Sequence, residues 1–345
     1  MNRDALIFDR PTSLSATRPT EARGIQRDEI RLMVSAPGSH SHANFRDLPL
    51  FLCPGDLLVV NRSATLPASL PATGHIGSFR LNLSTHYGSN IWLTEPRWSP
   101  SQPGPLPLGA GDEIIAAGVR GRLLNHFPGL NRLWFVQFEG DLESAMNKAG
   151  QPIRYGYLDD SYPLSAYQTI FATEPGSAEM PSAGYPFTQR VMDDLRKLPV
   201  QFAEITLHTG VSSLEVEVDD IKDHPLYPEP FAVPASTAEA VNRARSEGRR
   251  VIAVGTTVVR ALESAWDGAQ VQPRSGFTRL YIQPETGVHV VNGLITGLHD
   301  PVTSHLAMLY AIAGQDMIRS AYAEAVRERY LWHEFGDSHL ILARN

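Results

Sequence analysis

The sequence predicts an α/β protein: a mixed α/β body interrupted by a small antiparallel β-barrel. Short unbroken apolar runs, Leu57-Leu58-Val59-Val60 and Val251-Ile252-Ala253-Val254, read as strands buried on both faces. Between them the pattern changes to alternation broken by Gly, Pro and Asn, the signature of short antiparallel strands. Beyond Tyr167, strand-like runs mix with helical periodicity. The expected division is a discontinuous body, residues 1–70 and 150–345, with residues 71–149 inserted as the barrel.

Taken in order, the first thirty residues read as an extended arm, partly ordered at best. A Cys53-Pro-Gly-Asp56 turn leads into the first buried strand, which ends at Asn61. Phe79, Leu81 and Leu83 alternate with polar residues; Ile91 to Leu93, Ile114-Ile115, Leu133 and Phe135 continue at short intervals. Five or six strands are expected there. Ser236 with Glu239 predicts a capped helix that closes near Gly248. Residues 258–266 have a helical pattern stopped at Asp267-Gly268, and residues 303–330 read as helices broken at Gly314.

With 345 residues the chain has room for about two domains of roughly 150 residues. Apolar side chains make up 42%, enough for a sizeable core and against disorder as the ground state. Lys plus Arg number 30 against 37 Asp plus Glu, a net charge of −7. A sequence-blind nucleic-acid binder carries a basic excess, so any nucleic-acid contact here must be local. The one cysteine, Cys53, excludes an intrachain disulfide and a cysteine-rich zinc site. The first ten residues lack the apolar stretch of a signal peptide. The longest apolar run, residues 306–313, is eight long against the about 20 a membrane span needs. A soluble, cytoplasmic protein is expected, monomeric or weakly self-associating, without membrane contact.

The most informative local unit is strand, then Gly255-Thr256-Thr257, then helix. A helix N-terminus offers unpaired N–H groups and a partial positive charge, and two hydroxyls add donors. Arg260, Glu263 and Ser264 follow at i, i+3 and i+4, on one polar face. The unit reads either as a binding site or as simple capping with a surface ion pair. His208, in Ile205-Thr-Leu-His208-Thr-Gly210, reads as a proton-transfer group or a hydrogen-bonded core histidine. Glu229 is stiffened by Pro228 and Pro230, and Phe335-Gly336-Asp337-Ser338 reads as a turn with one carboxylate. The twelve histidines show no metal-ligand spacing: His299 and His305 are six apart, as are His333 and His339. His40 and His42 read as solvated in a Ser-rich loop. No metal site and no cofactor are expected, and neither hydrolase nor dinucleotide motifs occur.

Five segments appear in a telling order. They are Pro54-Gly-Asp-Leu-Leu-Val-Val-Asn61, Tyr167-Gln168-Thr169-Ile-Phe-Ala172, Pro175-Gly176-Ser177, Thr206-Leu-His208 and Ala253-Val-Gly-Thr-Thr-Val-Val-Arg-Ala-Leu-Glu-Ser264. Together they resemble the S-adenosylmethionine:tRNA ribosyltransferase-isomerase family of queuosine biosynthesis. The resemblance runs from about residue 48 to residue 341 and is weakest in the barrel. It implies transfer of the ribosyl part of S-adenosylmethionine to a 7-aminomethyl-7-deazaguanine base in tRNA, with release of adenine and methionine and rearrangement to an epoxycyclopentane. S-adenosylmethionine is then a substrate rather than a cofactor, and tRNA is the expected partner.

The same resemblance implies donor binding by Gly255, Thr256, Thr257 and Ser264, with Arg260 and Glu263 orienting the site. His208 and Asp337 become the candidate proton-transfer groups. Asn61, Tyr167, Gln168, Thr169, Pro175, Gly176, Ser177, Glu229, His299 and Gly336 become substrate-binding candidates. The chain departs from the family pattern where Ala64, Ser69, Val302 and Leu331 replace basic residues and Pro186 and Tyr227 replace histidines. Ser212-Ser213-Leu214 also stands where the family has Gly-Thr-Phe. These losses leave three readings: the family reaction on tRNA, the same donor with a small-molecule acceptor, or a catalytically silent protein that binds S-adenosylmethionine or a partner.

Overall fold

The computed structural model describes residues 1–211 and 218–343, so the Ser212-Ser213-Leu214 departure lies outside the described residues. The body is built on one nine-stranded mixed sheet. Its centre is β3 (Leu57–Asn61), the first apolar run, every residue of which is buried. Alternate side chains explain why no polar face is left: Leu57 and Val59 enter one core, Leu58 and Val60 the other. With β1 (Arg31–Ala36), β2 (Ser39–Asn44) and β4 (Ser63–Thr65) preceding and following it, β3 belongs to the N-terminal part of the body.

Seven more strands complete the body: β11 (Glu174–Ser177), β12 (Gln201–Leu207), β13 (Glu229–Val233), β14 (Val251–Val254), β15 (Arg274–Thr278), β16 (Gly293–Gly297) and β17 (Ser338–Leu342). Across the sheet the order is β15-β13-β12-β3-β14-β16-β17-β1-β2. β12, β3, β14 and β16 run parallel to one another; β17 is antiparallel to β16 and parallel to β1. β4 and β11 form a separate parallel pair.

One face of the sheet is covered by α3 (Ala235–Ser246), α4 (Thr256–Ser264), α5 (Ser304–Ala313) and α6 (Gln315–Arg327); the other packs on α2 (Gln189–Lys197), while α1 (Leu142–Ala149) follows the barrel. Gly314 separates α5 from α6 at φ 83°, as the sequence predicts. α3 starts one residue before the expected cap. Pro234 holds the N-cap position with no side-chain bond, so Ser236 lies inside the helix.

The barrel closes as β10-β7-β6-β5-β8-β9, from β5 (Ser69–Gly74), β6 (Gly77–His86), β7 (Ile91–Arg97), β8 (Glu113–Ala116), β9 (Val119–Phe127) and β10 (Leu130–Glu139). All neighbouring pairs are antiparallel. Phe79, Leu81, Leu83, Leu93, Leu123 and Val136 fill it. Its two connections to the body touch: Ser69 and Gln151 exchange backbone hydrogen bonds of 2.9 and 3.0 Å.

Two expectations fail. The N-terminal arm is not loose: short 3₁₀ turns lay it on the body, and Leu6 and Leu14 are buried with α5 and α6. The 40–42 segment is strand β2, not a solvated loop. His40 Nδ1 meets Ser35 Oγ at 2.8 Å and His42 Nδ1 meets the Tyr330 hydroxyl at 2.7 Å.

Candidate functional site

A cleft of about 750 Å³ opens where the C-terminal ends of β14 and β16 meet the N-terminal arm and the chain that returns from the barrel. Open α/β sheets bind ligands at this edge because the following helices begin there. Gly255, Thr256 and Thr257 form one wall. Gly255 sits at φ 100°, which a side chain would strain, and an added Cβ would press 3.3 Å from Ala183. The turn thus aims the first amides of α4 into the cleft. Asn61, at the end of β3, fixes it: its side-chain amide donates to Leu207 O at 2.8 Å and to Thr257 Oγ1 at 3.3 Å.

The rest of the lining is charged, with three carboxylates beside Arg10 and Arg97. Glu179, Asp300 and Glu334 all line the cleft. Tyr155 donates to Glu179 and Tyr157 to Glu334. Burial pushes the Glu334 carboxyl above its ordinary range, against the Tyr157 hydrogen bond that lowers it. Asp300 pairs with Arg10 at 2.7 Å. His333 stacks on Tyr157 at 3.9 Å between centroids and adopts φ 75°, a left-handed backbone that costs on the order of 1 kcal/mol outside glycine.

His299 and His305 complete the floor, their rings stacked 4.8 Å apart. Burial holds both imidazoles neutral; His305 is pushed down to about 4, with the nearby Arg260 adding to the effect. His299 Nε2 meets Thr296 Oγ1 at 2.8 Å, and its carbonyl accepts from Trp332 Nε1 at 3.0 Å.

The other expected residues are distributed differently. Tyr167 lines the cleft, and Gln168 holds the backbone of Thr65 with both amide groups, at 3.0 and 2.8 Å. Thr169 stays in its own loop, its Oγ1 accepting from Phe171 N. Pro175, Gly176 and Ser177 lie in β11. Ser177 Oγ joins Ser63 Oγ at 2.6 Å, and Ser63 meets His208 Nδ1 at 2.7 Å. Gly176 is required there: a Cβ would fall 2.3 Å from His208 Nδ1. His208 therefore sits locked behind the β4–β11 pair rather than in the cleft lining, and burial lowers its pKa.

The polar face expected on α4 splits into three separate contacts. Arg260 pairs with Glu229, whose other oxygen accepts from Gly210 N at 2.7 Å. Glu263 accepts the backbone N–H groups of His289 and Val290, both at 2.8 Å. Ser264 meets Thr278 Oγ1 at 2.6 Å, at the helix end remote from the cleft. These are contacts that hold the β13–β15 edge and the 289–290 turn.

Asp337 does not line the cleft either. Its two oxygens accept from Arg31 N at 2.9 Å and Leu331 N at 2.7 Å, closing the loop that Gly336 turns. A Cβ on Gly336 would meet Leu331 O at 2.4 Å. Asp337→Asn loses one of two acceptors against two part-buried donors, so we expect about 1–3 kcal/mol of destabilisation in urea unfolding. Of the cleft lining, Glu179, Asp300 and Glu334 are not expected from sequence, and His305 enters there only through its spacing from His299. Glu334 adjoins the turn that was singled out, but nothing in its local sequence separates it from a surface glutamate.

The family described as queuosine biosynthesis protein matches residues 4–341. The chain belongs to this family. Relatives in the queuosine biosynthesis protein family include the S-adenosylmethionine:tRNA ribosyltransferase-isomerase of Carboxydothermus hydrogenoformans, 37% identical over 96% of this chain and 97% of that protein. The enzyme of the same name from Thermus thermophilus is 38% identical over 92% of this chain and 93% of its own. The crystal structure of S-adenosylmethionine tRNA ribosyltransferase from Thermotoga maritima matches with a TM-score of 0.55 and 29% identity, covering 98% of this chain and 100% of that one. Among the described residues, no helix is long and apolar enough to cross a membrane, and no group of three or more His, Cys, Asp or Glu side chains could hold a metal ion.

Proposed function

We propose that this member of the queuosine biosynthesis protein family transfers and isomerises the ribosyl moiety of S-adenosylmethionine onto 7-aminomethyl-7-deazaguanine in tRNA. The products are epoxyqueuosine in tRNA, adenine and methionine. The observation that carries this reading in the structure is one cleft lined both by the start of α4 and by three carboxylates. The α4 N-terminus, with Gly255, Thr256 and Thr257, offers donors to the polar oxygens of the nucleoside. Glu179 and Glu334 offer negative charge to the positive sulfonium and ammonium.

The chemistry needs a sulfonium whose charge acidifies the neighbouring C–H and makes methionine a good leaving group. Glu179 and Glu334 in the cleft lining can gather that cation, Asp300 being paired with Arg10, while the neutral His299 and His305 add no further positive charge. His208, held by Ser63, which Ser177 holds in turn, packs against the strand pair beside the cleft. Glu334→Gln keeps the shape and removes one charge, so KM for the donor should rise about tenfold with kcat changed less than about threefold.

The deciding experiment is adenine release from S-adenosylmethionine by the purified protein. Three conditions suffice: no acceptor, precursor-bearing tRNA, and the free 7-aminomethyl-7-deazaguanine base. Release that depends on the tRNA is expected. Release with the free base alone, or none under any condition, would overturn the proposal.

A further inference from the structure

A second cavity of about 530 Å³ lies between the barrel and the chain that leaves it. It adjoins the donor cleft, since Arg97, Pro100 and Tyr167 line both. Its lining differs in charge from the cleft's, where Glu179, Asp300 and Glu334 accompany Arg10 and Arg97. Among the described residues Arg80, Arg97 and Arg154 line it and no Asp or Glu does, in a chain whose net charge is −7.

The three arginines are not equivalent. Arg97 is spent on Glu95, which it meets with one nitrogen at 3.0 Å from both carboxylate oxygens. Arg80 instead donates to the Ser69 hydroxyl, at 3.0 and 3.2 Å, and to its carbonyl. Among the described residues Arg154 hydrogen-bonds Ser161 Oγ alone, at 3.5 Å. Neither Arg80 nor Arg154 takes part in an ion pair among the described residues. Both are half-buried, so their charge is neither cancelled by a carboxylate nor fully screened by water. A guanidinium so placed matches phosphate geometry.

We propose that this groove binds the phosphodiester backbone of the RNA acceptor beside the reacting nucleotide, with Arg80 and Arg154 as the phosphate contacts. The inference rests on the functional reading above. It divides the site by charge: a cationic donor enters the cleft that holds the carboxylates, and a polyanionic acceptor lies along the adjoining groove that has none among the described residues. Arg80 comes from β6 and Arg154 from the return connection, so the barrel's task is to supply one side of the acceptor site.

The test is the binding of precursor-bearing tRNA by anisotropy over about 50 to 200 mM salt, beside donor binding by calorimetry. The double variant Arg80→Gln, Arg154→Gln should weaken RNA binding about 10- to 100-fold. It should also flatten the slope of log Kd on log salt by about 1.5, because each phosphate contact contributes roughly 0.7–0.9. Donor affinity should hold within about twofold, and Arg80→Lys with Arg154→Lys should keep the slope. Unchanged RNA affinity and slope in the glutamine variant would overturn the inference. So would a selective loss of donor affinity, which would assign the arginines to the donor's carboxylate. If wild-type protein releases adenine with tRNA while the glutamine variant binds RNA normally, only this inference falls. If wild-type protein does not act on tRNA, the functional reading falls with it.

Discussion

Between pH 6.5 and about 4 the protein is expected to lose stability through its buried histidines. His339 is fully buried on β17, and burial pushes its pKa down to about 3. His305 and His333 are pushed down to about 4, and His299 well below its ordinary value. The sign follows from proton uptake. Above about 6.5 these rings are neutral in both folded and unfolded chains, and the contribution is intact. As the pH falls, the unfolded chain takes protons that the folded one refuses, so stability drains until the folded values are reached. Each group then contributes a slope of roughly 1 kcal/mol per pH unit, and several together act against a total of about 5–15 kcal/mol. Urea unfolding at stepped pH measures the slope. His339→Gln, remote from the cleft, should lower it by roughly 1 kcal/mol per pH unit. A slope that does not change in this variant would refute the assignment.

The second large effect concerns the Glu229–Arg260 pair. Both side chains are nearly sealed, at 7% and 14% exposure. Removing one partner of such a pair leaves an uncompensated charge in the interior, which costs about 3–5 kcal/mol. Glu229→Ala is therefore expected to shift the urea midpoint strongly, and it also strips the Gly210 amide of its acceptor. Adding Arg260→Met to that background should recover part of the loss, because the stranded cation disappears. Strict additivity of the two single changes would show that the pair is not coupled.

Much of this architecture was legible because burial on both faces leaves a continuous apolar run. β3 and β14 lie where residues 57–60 and 251–254 predict strands. The barrel was legible from alternation, although it takes in Ser69 and Leu70, which carry no alternation signal of their own. β2 was not legible: Ser-His-Ser-His-Ala-Asn is an edge strand whose exposed side needs no apolar residues, so its pattern is that of a loop. For the site, Gly255-Thr256-Thr257 was found because strand, glycine and helix are local in sequence. The three carboxylates were not, because Glu179, Asp300 and Glu334 come from three distant loops and share nothing until the sheet assembles them. Arg260, Glu263 and Ser264 show the converse. Helical spacing put them on one face, but only the tertiary packing decided that each would be used by a different neighbour.

The place of β17 has a consequence for synthesis. This strand lies between β16 and β1, so the β1–β2 hairpin reaches the rest of the sheet only through a segment translated about three hundred residues later (Leu32 pairs with Ser338). While the ribosome is still working through α5 and α6, that hairpin has an open edge and no neighbour to close it. The barrel, whose strands are consecutive in the chain, can be complete long before. Folding of the body is thus gated by the arrival of its latest strand, and the nascent chain must keep its earliest strands from pairing elsewhere until that strand emerges.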